Sequence, residues 1–235
     1  MNVFVLHDSG TIAAITGAQK PACESLALAT NDPSDVAFCF VGDNPLGPGW
    51  LIDNELPCDR IACWSGTLAD GPDIFAAHPH NWMNPGRDTL DALLEEMIPQ
   101  LEKADRRLTL IPHARHVVSD VQGSINLARE RADTPVEVAL APTFLLTPSM
   151  IDVVEDHYTR AFETLAGPAP FLLLQDFVVD EEDPERLRTV PLGDGLLDRS
   201  MTRGLLESHW NGEKPLVLGP GALSAQLEWL GISSS

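Results

Sequence analysis

Lysine is nearly missing from this chain of 235 residues: only Lys20, Lys103 and Lys214 occur, against a formal net charge of −20. A basic face able to neutralise a run of phosphates cannot be assembled from so few cations, which argues against nucleic acid as a partner. An anionic membrane surface would repel the chain for the same reason. No run of about 18 apolar residues is present, so no membrane-spanning helix is expected. The opening Met1-Asn-Val-Phe-Val-Leu-His-Asp lacks a basic n-region and reads as a strand, which leads us to expect a cytoplasmic protein. A Walker loop, a dinucleotide fingerprint, a nucleophile elbow and a His-Glu-x-x-His pair are all absent. Cysteine is scarce as well. Cys23, Cys39, Cys58 and Cys63 fall in the first third without a zinc-like spacing, and read as buried thiols behaving as small hydrophobes.

What is present is alternation. Short apolar runs stand at Val3–Leu6, Val36–Val41, Ile61–Trp64, Leu108–Ile111, Val136–Ala141, Phe171–Phe177 and Leu216–Leu218. They are apolar at consecutive positions, as strands of a parallel sheet covered on both faces should be. Between them lie helical periods. Leu90, Leu93, Leu94, Met97, Ile98, Leu101 and Ala104 form one stripe, with Pro99 expected to kink it. A helix N-capped by Ser149 is expected to carry Met150, Ile151, Val154, Tyr158, Ala161, Phe162 and Leu165, and to close near Gly167. Further helices are expected around Val121–Ala132, Asp198–Trp210 and Ala222–Leu230. The pattern predicts an α/β fold, a compact parallel βα barrel in a single domain over residues 1–235. A closed barrel needs eight strands and seven are clear. Gly42–Cys58 reads as a long loop where one more βα unit would fit, and Val190-Pro-Leu192 is a candidate for a very short eighth strand.

In such a barrel the ligand site forms at the C-terminal ends of the strands. His113 and His116 follow the fourth run and are candidates for general acid and base, although hydrogen-bonded loop histidines are the simpler reading. Asp176 ends an apolar run, where a carboxylate must face the mouth or be paired. Candidate ligand-binding residues are His7, Trp64 as a stacking face, His78 with Asn81 in a polar loop, and Gly193 with Gly195, whose backbone N–H groups could approach a phosphate. Each has a plainer alternative: a strand-end turn, a core tryptophan, an Asn-stabilised turn, a glycine turn.

Several stretches also resemble the xylose-isomerase-like sugar phosphate isomerase/epimerase barrels. Trp64-Ser-Gly-Thr, His78-Pro-His-Asn-Trp82 and Leu108-Thr-Leu-Ile-Pro-His113 are similar to the middle of those proteins. Val136-Glu-Val-Ala-Leu-Ala-Pro142 and Phe171-Leu-Leu-Leu-Gln-Asp176 are similar to the strands that follow. Val190-Pro-Leu-Gly-Asp-Gly-Leu-Leu-Asp198 resembles their Gly-x-Gly-x-x-Asp stretch, and Pro215-Leu-Val-Leu-Gly219 their last strand. The similarity covers roughly residues 60 to 220. It implies a barrel holding a divalent metal such as Mn or Mg through a Glu, an Asp, a His and a second Glu. Carried over position by position, those ligands fall on Ile111, Ala141, Leu173 and Gly219, and a further His on Phe144. None of these side chains can donate to a hard cation, so no cofactor is expected. The resemblance implies a small polar partner, a sugar or sugar phosphate, and a homodimer by analogy. The leading expectation is a divergent barrel without the family metal site that binds such a ligand or a partner. An active isomerase or epimerase with a rearranged site, and a structural subunit of an assembly, are the alternatives.

Overall fold

The computed structural model describes residues 1–8, 10–12, 23–32, 34–52, 56–210 and 212–232. Its strands are β1 (Asn2–Asp8), β2 (Ser25–Ala29), β3 (Val36–Val41), β4 (Arg60–Trp64), β5 (Arg107–Ile111), β6 (Val136–Val138), β7 (Leu172–Leu174), β8 (Asp176–Val179), β9 (Leu187–Val190) and β10 (Pro215–Leu218). Eight of them form one sheet in the order β6-β5-β4-β3-β2-β1-β10-β7. Its two edges meet: Leu140, just past β6, bridges Leu172 of β7 in parallel, with the Leu140 N–H donating to Phe171 and the Leu173 N–H to Leu140. Among the described residues the sheet therefore curls into a ring of eight staves.

Seven staves are parallel and one is not. β2 runs antiparallel to both β1 and β3. This stave, Ser-Leu-Ala-Leu-Ala, is the eighth strand that the sequence left unplaced. It lies neither in the Gly42–Cys58 stretch (of which residues 53–55 fall outside the described set) nor at Val190–Leu192. Two of its five residues are alanine and none is β-branched, so its composition carries little strand signal. The Phe171–Phe177 run is two strands, β7 in the ring and β8 in a separate antiparallel hairpin with β9.

Helices α1 (Asn84–Ala104), α2 (Val121–Glu130), α3 (Val154–Leu165), α4 (Arg199–His209) and α5 (Leu223–Leu230) complete the described elements. The stripe expected of α1 is buried through Leu90, Leu94, Met97 and Leu101, and the helix continues past Pro99 to a left-handed Asp105 at its end. Asp120 caps α2 by accepting from the Gly123 N–H, and Asp198 caps α4 by accepting from the Met201 N–H. Ser149 does not cap α3. It sits in a 3-10 turn over Pro148–Val153, bonded to the Thr147 hydroxyl, because Pro148 starts that tighter turn first. The cysteines also differ from expectation in part: Cys39 and Cys58 form a disulfide, while Cys23 and Cys63 are buried free thiols. No helix among the described residues is long and apolar enough to cross a membrane.

Side-chain alternation divides the core. One set of strand residues, including Cys39, Ile61, Cys63, Leu108 and Leu110, packs outward with Leu90, Leu94 and Met97 of α1. The other set, including Phe4, Ala27, Phe38, Ala62, Ala139, Phe171 and Val217, fills the ring. The interior is layered because register is shared: Arg60, Ala62 and Trp64 stand beside Arg107, Thr109 and Ile111. At the bottom, Glu137 pairs with Arg60 and Arg107 and accepts from the Thr109 hydroxyl. Above it, Phe38 and Phe171 stack with centroids 4.3 Å apart. The ring is thus plugged below and in the middle, and a cavity opens at the top. Phe38 is wholly buried, so Phe38→Ala should remove about 3–5 kcal/mol of stability, read as a lowered urea midpoint with an unchanged slope.

Candidate functional site

The open top is a cavity of about 510 Å³, a size ordinary for a small-molecule site. Its floor is made of the last inward residues of the staves: Leu6 (β1), Phe38 and Phe40 (β3), Trp64 (β4), Ile111 (β5) and Leu173 (β7). Phe75, His113 and Phe144 form one wall. The other wall is the β8–β9 hairpin, which leaves β7 at Gln175 and presents Asp180, Arg186, Leu187, Arg188, Thr189 and Val190 to the space.

Trp64 sits at the centre of the aromatic wall. Its ring meets Phe75 at 5.1 Å and Phe144 at 5.2 Å, both edge-on, and also faces His113 and His116. It is both core and lining, so the two readings of this tryptophan coincide. His113 lines the cavity, and its Nδ1 accepts from the Arg115 N–H, leaving the proton of the neutral ring on Nε2. Burial, reinforced by the nearby His116, Arg186 and Arg115, holds its pKa well below the usual histidine value. His116 lies behind Phe75, stacked on it at 5.3 Å, with Nε2 on the Ile74 carbonyl at 3.0 Å and Nδ1 buried without a partner. Burial pushes its pKa down to about 4. The two rings lie 4.8 Å apart, yet both are neutral at pH 7, which does not suit a general acid.

The other candidates lie elsewhere. Asp176 is fully buried, with Oδ1 accepting from the N–H groups of Phe177 and Leu197 and Oδ2 from those of Gly193 and Gly195. The Gly193-x-Gly195 turn does bind an anion, and that anion is the Asp176 carboxylate. Gly193 adopts φ 94°, and a Cβ on Gly195 would come within 2.4 Å of Asp176 Oδ1, so both glycines serve this closure. Asn81 is likewise occupied: its amide donates to Thr67 Oγ1 and to the Arg115 carbonyl and accepts from the Leu68 N–H, stapling two loops. His78 faces His80 and does not line the cavity. His7 follows the inward Leu6 on β1 and so points out of the ring.

The positions matched to family metal ligands do converge on this site. Ile111, Leu173, Gly219 and Phe144 line the cavity, and Ala141 packs in the same cluster beneath it. The residues present do not fit a divalent cation. Four of the five are hydrocarbon side chains, and at the fifth a Cβ on Gly219 would sit 2.6 Å from Gln175 Nε2, so the Gln175 amide fills the space that a longer residue would need. Among the described residues no three His, Cys, Asp or Glu side chains are placed to share a metal ion. Gln175 itself is 7% exposed and lines the cavity, and its amide has no hydrogen-bond partner among the described residues. Sequence reading missed Gln175, Phe38, Phe40, Phe75 and the hairpin arginines Arg186 and Arg188. The available signal was the change from Asp180-Glu-Glu-Asp to Arg186-Leu-Arg188, a cationic strand in an acidic chain.

No family model and no curated protein matches the sequence. Among solved structures, the probable 3-DHS dehydratase AsbF of Bacillus anthracis superposes with a TM-score of 0.52 at 10% identity, covering 82% of this chain and 73% of that one. The 3-keto-D-glucoside 4-epimerase YcjR of E. coli gives 0.49 at 14% identity, over 76% and 65% of the two chains. A xylose isomerase-like TIM barrel protein of Mycobacterium smegmatis in complex with magnesium gives 0.44 at 13%, over 74% and 62%. The chain thus spans just under two thirds of each of these last two. At such identities the first similarity establishes a shared α/β barrel fold, and chemistry has to be argued from the site itself.

Two outcomes follow from this geometry. Asp176→Asn would turn an amide donor toward the Gly193 and Gly195 N–H groups, and should lower stability by about 3 kcal/mol or more, seen in urea unfolding. For the histidines, an unfolded chain protonates near pH 6.5, whereas folded His116 resists to about pH 4. Stability is therefore full above the unfolded value and falls as pH drops between the two, by about 3 kcal/mol for His116 alone. Urea midpoints should slide across that window, and the slope should flatten in the His113→Gln/His116→Gln double variant.

Proposed function

We propose that this protein binds a small cyclic molecule in the barrel mouth, a divergent relative of the sugar isomerase and epimerase barrels that works without a metal at that position. The observation that carries this reading is the Gln175 amide, which reaches a preformed cavity and has no hydrogen-bond partner among the described residues. A ligand hydroxyl or carbonyl would give it one. A sugar-sized ring fits the volume and can lay its C–H face on Trp64, Phe75 and Phe144. The lining offers few hydrogen-bonding side chains, so a ligand carrying one or two polar groups is better matched than a fully hydroxylated one.

Isomerisation by proton transfer between His113 and His116 is disfavoured by the same geometry. His116 is screened from the cavity by Phe75, and both rings resist protonation. Ligand-observed NMR with a set of small cyclic fragments should detect binding to the wild type and its loss in Thr189→Trp, where a bulky ring on the hairpin blocks the mouth. Chelator treatment should leave binding unchanged, and titration of Mn2+ or Mg2+ into the treated protein should show no tight site. A stoichiometric metal, or fragment binding untouched by Thr189→Trp, would overturn the reading.

A further inference from the structure

Basic side chains are scarce in this chain, with 15 lysines and arginines against 35 aspartates and glutamates. Three arginines nonetheless gather at the mouth, and they are not equivalent. Arg115 is committed to structure, donating to the carbonyls of Phe75 and Glu185. Arg186 is held by Asp73 at 3.5 Å and lies over the Phe75 ring at 5.1 Å. Arg188, one turn of the pleat further along β9, lines the cavity and makes no hydrogen bond or ion pair among the described residues. The opposite sign is kept at a distance. Glu182 and Asp183 of the hairpin loop do not line the cavity; Asp183 is turned to Arg115, and Asp180, the one carboxylate that reaches the lining, accepts from the Glu182 N–H.

In a protein of net charge −20 the general field repels anions, so a small anion is admitted only where local cations outweigh it. In the cavity lining two guanidiniums, Arg186 and Arg188, stand against one carboxylate, Asp180. The rings of His113 and His116 stay neutral there, and Arg186 and Arg115 add to the burial that holds His113 unprotonated. Below the arginines the lining turns apolar and aromatic, with Trp64, Phe75 and Phe144 as the wall. A guanidinium pairs best with a planar carboxylate through two parallel N–H donors, whereas the aromatic wall suits a flat ring.

We propose that the ligand is a small ring-bearing carboxylate, its ring against Phe75 and Phe144 and its carboxylate on Arg188. The proposal rests on the mouth being the binding site, as argued above, and adds the charge and shape of what enters. Binding should weaken with added salt, since the rim arginine is exposed. The test compares benzoate with its neutral isostere benzamide, and both with inorganic phosphate, by ligand-observed NMR on the intact protein. Benzoate should bind about tenfold more tightly than benzamide. Arg188→Gln should erase that preference while leaving benzamide unchanged, and Phe144→Ala should weaken both alike. Equal affinity for benzoate and benzamide, or a preference that survives Arg188→Gln, would overturn the anionic assignment and leave the small-molecule reading standing. Phosphate binding that depends on Arg188, without benzoate binding, would overturn the carboxylate ring in favour of a phosphate ligand. Failure of all three probes, together with failure of the cyclic fragments, would overturn both readings.

Discussion

The structure depends on one constraint: the staves of the ring are covered on both faces, and what points inward must fill a closed space. Phe38 and Phe171 meet this by stacking across the ring at 4.3 Å, with alanines at Ala27, Ala62 and Ala139 making room for them. Large and small residues are thereby matched within one layer. The consequence reaches the function. Because the middle is sealed by these rings and the bottom by the Glu137 ion pairs, a ligand has only the top layer to occupy. The floor of that layer consists of the residues at the C-terminal ends of the strands.

The second determinant is how the hairpin is held. β7 and β8 are nearly continuous in sequence, yet Gln175 turns the chain out of the ring. The Asp176 carboxylate then gathers four backbone N–H groups, fixing the start of β8 to the 193–197 turn. Charge-assisted bonds to backbone donors are among the stronger hydrogen bonds in a protein, and burial removes competing water. Two ion pairs to the hairpin loop, Arg115 with Asp183 and Arg186 with Asp73, fasten its far end. A wall anchored at both ends can place Arg188 over the mouth reproducibly, which loose loop residues could not do.

Much of this was legible in the sequence where a single physical rule governs it. The seven two-sided apolar runs are all strands, because parallel staves buried on both faces leave no polar alternation to confuse the reading. The positions matched to family metal ligands also cluster at the mouth, since strand-end positions follow from register. What was not legible needed knowledge of partners. Ser25–Ala29 is a strand because it is clamped between β1 and β3, not because of its own propensity. Read separately, Asp176 suggested a carboxylate at the mouth and Gly193-x-Gly195 a phosphate-binding turn. They are the two halves of one internal site, a pairing across about one βα unit that spacing alone does not reveal. Gln175 escaped notice because a glutamine between a leucine run and an aspartate carries no motif.

The same packing bears on both the histidines and the positions matched to metal ligands. A divalent cation at a barrel mouth needs several carboxylates and histidines kept charged or lone-pair-donating in a polar shell. Here the shell is Trp64, Phe75, Phe144, Ile111 and Leu173, in which an isolated charge is heavily penalised. Under that penalty His113 and His116 stay neutral, and the carboxylates that remain nearby turn to arginine or to backbone N–H groups. Once the centre is hydrocarbon, the polar side chains of the lining are His113, Gln175 and those of the hairpin, Asp180, Arg186, Arg188 and Thr189. Under the proposed reading, recognition lies at the edge of the mouth and not in its middle. A site built this way selects by the shape of an apolar body and the charge of one end, where a metal centre would have selected by the spacing of ligand oxygens.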